Sequence, residues 1–161
     1  MDPLPQARQM YRAGHIHDAL ESAQAACERA PHNAEAWALL GRIAWHAGLP
    51  QSGDDALRRA HGLSRRHPLP GRVSAERFAQ LVDEAQGALS ADAQRRLAAT
   101  EITWRSLPSP DEIERGVDPD AVSLRVRAPA DRLVLFQVNL ENRCPDEHTL
   151  LGLITRTLSR A

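Results

Sequence analysis

Cys144 and His148 could act together as a nucleophile and its base. Cys144 precedes Pro145 between a predicted strand and a predicted helix, and a thiol near a helix N-terminus can be activated by a lowered pKa. A cysteine enzyme also needs its base within a pocket, and only proximity in sequence connects His148 with the thiol. A small, half-buried structural cysteine therefore accounts better for Cys144.

Two short patterns contain residue types that bind zinc. His15 and His17 lie at a predicted helix turn, and Glu147-His148 opens the last predicted helix. A zinc site needs three or four convergent ligands, and neither pattern has a further ligand at a suitable spacing. Glu147 is explained by the favourable interaction of an acid with a helix N-terminus. We expect solvent-exposed histidines, no metal and no cofactor.

The composition indicates one ordinary domain or two small ones, since 42% of the 161 residues are hydrophobic and 25% are charged. A net charge of −1 provides no general attraction for nucleic acid or for a membrane. The chain contains no phosphate-binding loop, dinucleotide fingerprint or nucleophile elbow. These observations favour a protein partner over a nucleotide, nucleic-acid or membrane partner.

The sequence also predicts a cytoplasmic location. Its start lacks the basic and apolar regions of a signal peptide. No stretch approaches the roughly 20 apolar residues of a membrane helix. The two cysteines, Cys27 and Cys144, lie outside any C-x-x-C pattern and fit reduced thiols.

Helical periodicity dominates the first part of the chain, where the predicted helices are 4–14, 17–30, 34–47 and 51–65. Asn33 is placed to cap the third helix. Gly14 and Gly48 are placed to end the first and the third. Two prolines and a glycine then predict a linker at 67–73.

The second part alternates between helical and extended patterns, which predicts a small α+β unit. Ser74 and Ser90 are placed to cap two helices. The predicted helices are 74–89, 91–98 and 147–160, and the predicted strands are 101–106, 122–127 and 132–140. An acidic connection that contains proline, 107–120, joins the first two strands.

Residues 34 positions apart match in size in the first part, as Gly14 matches Gly48 and Ala26 matches Ala60, and Trp37-x-x-Leu40-Gly41 opens the second copy. This pattern resembles the tetratricopeptide repeat, in which paired helices cross at small residues. In that family the first helix of each pair faces a binding groove. The resemblance therefore implies partner-binding candidates, which are Arg8, Tyr11, Arg12, Arg42, Trp45 and His46, beside Leu4, Glu35 and Ala38.

Arginine forks beside an aromatic surface suit an acidic peptide. The alternative is that Tyr11 and Trp45 pack on neighbouring helices and that the arginines form a solvated face.

Residues 74–161 resemble the small bacterial zincin-like metallopeptidases in the order of their elements. The matching pieces are RFAQLVDEAQGAL, Asp118-Pro119-Asp120, Asp131–Phe136 and Asn139-Leu140-Glu141. In that family a strand and a turn lead to a helix with His-Glu-x-x-His, which supplies two zinc ligands and a general base. Arg160 and Ala161 stand where that His and Glu would follow. The resemblance therefore implies a degenerate domain without a zinc site.

We expect an α+β protein with tetratricopeptide-like helical hairpins at 1–66, a linker at 67–73 and a degenerate zincin-like domain at 74–161, which has a sheet of at least three strands. The expected function is that of a non-catalytic, cytosolic adaptor that binds another protein through an acidic segment. The alternative is a zinc metallopeptidase whose active-site helix continues past Ala161 or is completed by a partner.

Overall fold

Nine helices and three strands make up the described part of the chain, residues 2–161 of a computed structural model. In chain order they are α1 (Pro3–Arg12), α2 (Ile16–Arg29), α3 (Ala34–His46), α4 (Pro50–Leu63), α5 (Ala75–Gly87), α6 (Ala91–Leu97), β1 (Glu101–Arg105), α7 (Pro110–Glu114), β2 (Ser123–Val126), β3 (Arg132–Phe136), α8 (Gln137–Glu141) and α9 (Glu147–Ser159). The predicted α+β class is confirmed.

The chain forms two units. The first contains the residues up to Leu69 together with Pro108–Asp120, and the second contains Pro70–Leu107 and Ala121–Ala161. The boundary after Leu69 falls inside the predicted linker 67–73. The segment 108–120, which the sequence pattern assigns to the second domain, belongs to the first unit.

The helices α1–α4 form two hairpins in the first unit, because α1 packs on α2, α2 on α3 and α3 on α4. Their ends lie within two residues of the predicted ends. Asn33 caps α3 as predicted, since its side chain accepts hydrogen bonds from the backbone N–H groups of Glu35 and Ala36. Gly14 and Gly48 follow α1 and α3 with φ of 86° and 78°, where a residue with a Cβ would be strained.

Small residues set the distance between α3 and α4. A Cβ on Gly41 would lie 2.6 Å from Cγ of Leu57, and a Cβ on Gly53 would lie 2.6 Å from Cδ1 of Trp45. Both positions therefore require glycine for the close approach of the two helices.

The second unit has a three-stranded sheet in the order β1-β3-β2, in which β3 runs parallel to β1 and antiparallel to β2. Leu133 and Leu135 of β3 join a core with Phe78 and Leu81 of α5. The helix α9 packs on α5 and α8. Its buried side chains are Leu150, Ile154 and Leu158, while Leu151 is only partly buried.

The predicted strand 132–140 is wrong after Phe136, where the chain turns into the helix α8. Val138 and Leu140 alternate with polar residues as in a half-exposed strand, but Asn139 and Glu141 are buried as well. Asn139 Nδ2 donates to the carbonyl of Ala121 at 2.8 Å. Glu141 accepts hydrogen bonds from Arg72 Nη1 at 3.2 Å and from the backbone N–H of Val73 at 2.9 Å. These bonds make burial of the polar residues possible.

Within residues 2–161 no helix combines the length and the apolar character needed to span a bilayer.

Candidate functional site

Tyr11, Arg42 and His46 converge on one acidic segment of their own unit. Tyr11 lies in the last turn of α1, and Arg42 and His46 lie in the second half of α3. All three contact Pro119 or Asp120. We call the surface formed by these three side chains the α1/α3 face.

The hydroxyl of Tyr11 donates a hydrogen bond of 2.6 Å to Oδ1 of Asp120. Tyr11 is only 2% exposed. Burial, together with the negative charge of Asp120, raises the pKa of Tyr11 well above 10. The phenol therefore stays protonated and serves as a fixed donor to a carboxylate.

Arg42 adds a positive charge beside the same carboxylate, with its Nε 3.3 Å from Oδ1 of Asp120. The two side chains are 32% and 31% exposed, so the pair is only partly shielded from water. The Nε of Arg42 is buried, and within residues 2–161 no atom accepts a hydrogen bond from it. The contact with Asp120 is therefore an ion pair without hydrogen-bond geometry.

His46 closes the other side of the α1/α3 face. Its Nε2 lies 2.9 Å from the carbonyl oxygen of Pro119, and since a carbonyl can only accept, Nε2 carries the proton. The ring meets Tyr11 edge-on, with centroids 5.4 Å apart. Burial lowers the pKa of His46 below 6.5, against an opposing effect of the Pro119 carbonyl and of Asp120.

The segment 108–120 is built to present Asp120. The helix α7 begins with a capping box, in which Ser109 and Glu112 each accept the other's backbone N–H. Ile113 is buried, and a Cβ on Gly14 would lie 3.2 Å from its Cγ2. Oδ1 of Asp118 then accepts from the backbone N–H of Asp120 at 2.8 Å, which orders the turn before Asp120.

The other predicted partner-binding residues have different contacts. Arg8 forms an ion pair with Glu35. Arg12 is exposed in the last turn of α1. Trp45 donates from Nε1 to Oδ1 of Asp54 at 2.9 Å and packs at Gly53, so it fills the contact between α3 and α4. Leu4 and Ala38, also predicted beside the groove, are buried in the helical core.

Asp120 is the site residue that sequence reasoning missed. The sequence marks 107–120 as an acidic connection, and the first 72 residues carry more arginines than acids. That charge difference is the available signal, but it does not select one carboxylate. The partner, Tyr11, lies 109 positions away in the sequence.

The residues first considered for catalysis or metal binding lie elsewhere. Cys144 is buried, and burial raises its pKa, so the activated thiolate of a cysteine enzyme is disfavoured. Burial likewise raises the pKa of Cys27 to about 11. His15, His17 and His148 are exposed. Across residues 2–161, no three His, Cys, Asp or Glu side chains are grouped so that they could hold a metal ion.

Comparison with known proteins finds no protein family that matches this chain and no match among curated protein sequences.

Proposed function

We propose that this chain is a non-catalytic, cytosolic adaptor that holds an acidic segment of another protein on the α1/α3 face. One observation carries the proposal: this face already holds an acidic segment, because Asp120 of the same chain accepts a hydrogen bond from Tyr11 and pairs with Arg42. The face is thus able to bind a carboxylate on a peptide segment.

The chemistry of the face supports an acidic partner. Tyr11 and His46 present donors, and Arg42 presents a permanent positive charge. Hydrogen bonds from such donors to an ionised carboxylate are roughly twice as strong as bonds between neutral groups. His46 also binds the backbone carbonyl before the acid, which favours a peptide segment over an isolated ion.

Two further points support a non-catalytic protein in the cytosol. Arg160 and Ala161 occupy the positions where the zincin-like pattern would place a ligand and the general base. Cys27 and Cys144 are buried free thiols, which supports a reducing compartment.

A binding measurement with a peptide tests this function. The probe is a fluorescent peptide with the sequence of residues 116–122, Gly-Val-Asp-Pro-Asp-Ala-Val. Its control has Asn in place of both Asp residues. We expect the full chain to bind the acidic peptide and not the control, and we expect affinity to fall as salt rises. Arg42→Ala should weaken binding, while the matched Arg12→Ala should not. Equal binding of both peptides by the full chain, or no binding of the acidic peptide by either the full chain or a variant at Asp120, contradicts the proposed function.

A further inference from the structure

The α1/α3 face is occupied by its own chain. The hydroxyl of Tyr11 lies 2.6 Å from Oδ1 of Asp120, and Nε of Arg42 lies 3.3 Å from the same oxygen. A second carboxylate cannot take those positions while Asp120 holds them. Any acidic segment from a partner must therefore replace Asp120.

We propose that residues 117–120 are an internal competitor that keeps the α1/α3 face closed, and that an acidic partner opens the face by displacing Asp120. This inference rests on the proposed function and adds its regulation. It identifies the partner segment as one that carries a carboxylate after a proline, as Asp120 follows Pro119.

The internal ligand satisfies the face incompletely, which makes displacement favourable for a better one. The buried Nε of Arg42 has no hydrogen-bond acceptor among residues 2–161, although Oδ1 of Asp120 lies 3.3 Å away. A carboxylate that approaches in the plane of the guanidinium can accept two parallel N–H bonds. A partner segment whose backbone is not fixed at both ends can reach that geometry.

Replacement of Asp120 by a partner carboxylate can be confined to the end of the segment 108–120. Ile113 of α7 is 2% exposed, whereas Asp118 is exposed and the Asp120 side chain is 31% exposed. Gly116, with φ of 104°, separates α7 from residues 117–120. Displacement of Asp120 can therefore leave the apolar contact of Ile113 in place, while the buried Pro119 and its contact with His46 are released together with Asp120.

Competition within one chain has a measurable consequence. A tethered ligand has an effective concentration of order millimolar, so it lowers the apparent affinity for a ligand added from outside. A substitution that weakens the contact of Asp120 with Tyr11 and Arg42 should therefore strengthen binding of the added peptide.

The experiment compares binding of the 116–122 peptide by the full chain and by Asp120→Asn, Asp120→Ala and Glu114→Gln. Glu114→Gln is the matched control, because it removes one negative charge from an exposed position of the same segment. We expect about tenfold tighter binding for Asp120→Asn, the factor that corresponds to loss of one charged hydrogen bond. Asp120→Ala should bind at least as tightly, and Glu114→Gln should bind like the native chain.

A second measurement follows the displaced segment directly. Amide hydrogen exchange at Val117, Asp118 and Asp120 of the native chain should increase when the peptide saturates it. Equal affinities for the native chain and both Asp120 variants, or unchanged exchange at saturation, overturn the internal competitor and leave the proposed function standing. If no variant binds the peptide at all, the proposed function itself is overturned.

Discussion

Arg125 forms a bidentate contact with Asp131, in which Nε donates to Oδ1 at 3.0 Å and Nη2 donates to Oδ2 at 2.6 Å. The hydroxyl of Thr100 donates to Oδ2 of Asp131 at 2.7 Å. Arg125 lies in β2 and Asp131 immediately precedes β3, so the contact secures the connection between these strands. The hydrogen bonds from Arg125 and then from Thr100 lower the pKa of Asp131 from 3.8 to about 2.

This contact should make the free energy of unfolding depend on pH in the acidic range. The pKa of Asp131 is lower in the folded chain than in the unfolded chain. Its contribution to the free energy of unfolding is therefore fully present above pH 3.8 and is lost as the pH falls toward about 2. Asp131→Asn should lower the urea midpoint at pH 7, and the difference from the native chain should shrink on acidification. Asp92→Asn, which removes an exposed acid paired with Arg95, is the control. A difference that stays constant down to pH 2.5 contradicts the assignment.

His46 should give a pH dependence near neutrality. Its pKa is lowered from 6.5 mainly by burial, so the unfolded chain binds more protons just below pH 6.5 and stability falls there as the pH decreases. His46→Gln keeps an N–H donor and removes the titration, so its stability should change less between pH 7.5 and 5.5. The exposed His17→Gln is the control. An NMR titration of the His46 ring with a midpoint at or above 6.5 would show that burial is not the controlling effect.

The Tyr11–Asp120 bond should contribute to stability as a coupled pair. Tyr11→Phe removes the O–H donor and leaves the carboxylate with the ion pair to Arg42, which should cost about 1–3 kcal/mol. Asp120→Ala and the double variant complete a thermodynamic cycle. We expect the double variant to be less destabilised than the sum of the two single variants. Additive effects on the free energy of unfolding would show that the two groups do not interact.

In the helix α9, truncation of Ile154 should lower the free energy of unfolding more than truncation of Leu151 does. Ile154 is fully buried and Leu151 is only partly buried. Ile154→Ala should therefore cost roughly 2–5 kcal/mol of the free energy of unfolding, and Leu151→Ala should cost less. The measurement is equilibrium denaturation by urea. Similar losses for both variants would place Leu151 in the core as well.

The purified chain should contain no stoichiometric zinc and show no peptidase activity. This prediction rests on the resemblance to the zincin-like pattern, which implies that Arg160 and Ala161 stand where a ligand and the general base would follow. Elemental analysis before and after chelation checks the first point, and a casein assay checks the second. About one zinc per chain, with activity lost on chelation, would favour the metallopeptidase alternative.

Features governed by neighbours in sequence were predictable. Asn33, Ser74 and Ser90 each cap the expected helix, because a cap is a contact with residues two or three positions away. Gly14 and Gly48 end helices for the equally local reason that they adopt positive φ.

Features governed by distant partners were not predictable. The end of β3 depends on Glu141, whose burial is made possible by Arg72 and Val73, about 70 positions earlier. The resemblance to the tetratricopeptide repeat implied Tyr11, Arg42 and His46 as candidate binding residues, but their contact with Pro119 and Asp120 was not predicted. A single sequence with no alignment contains no signal that pairs Tyr11 with one carboxylate among 21.

The separation of Tyr11 from Asp120 has a consequence for synthesis. The ribosome completes α1 and α3 long before it reaches residue 120, so the nascent helices emerge with Tyr11 and Arg42 uncovered. At a rate of about 5–20 residues per second, the interval lasts several seconds. Under the proposed function, an acidic segment that binds during that time would need no displacement of Asp120.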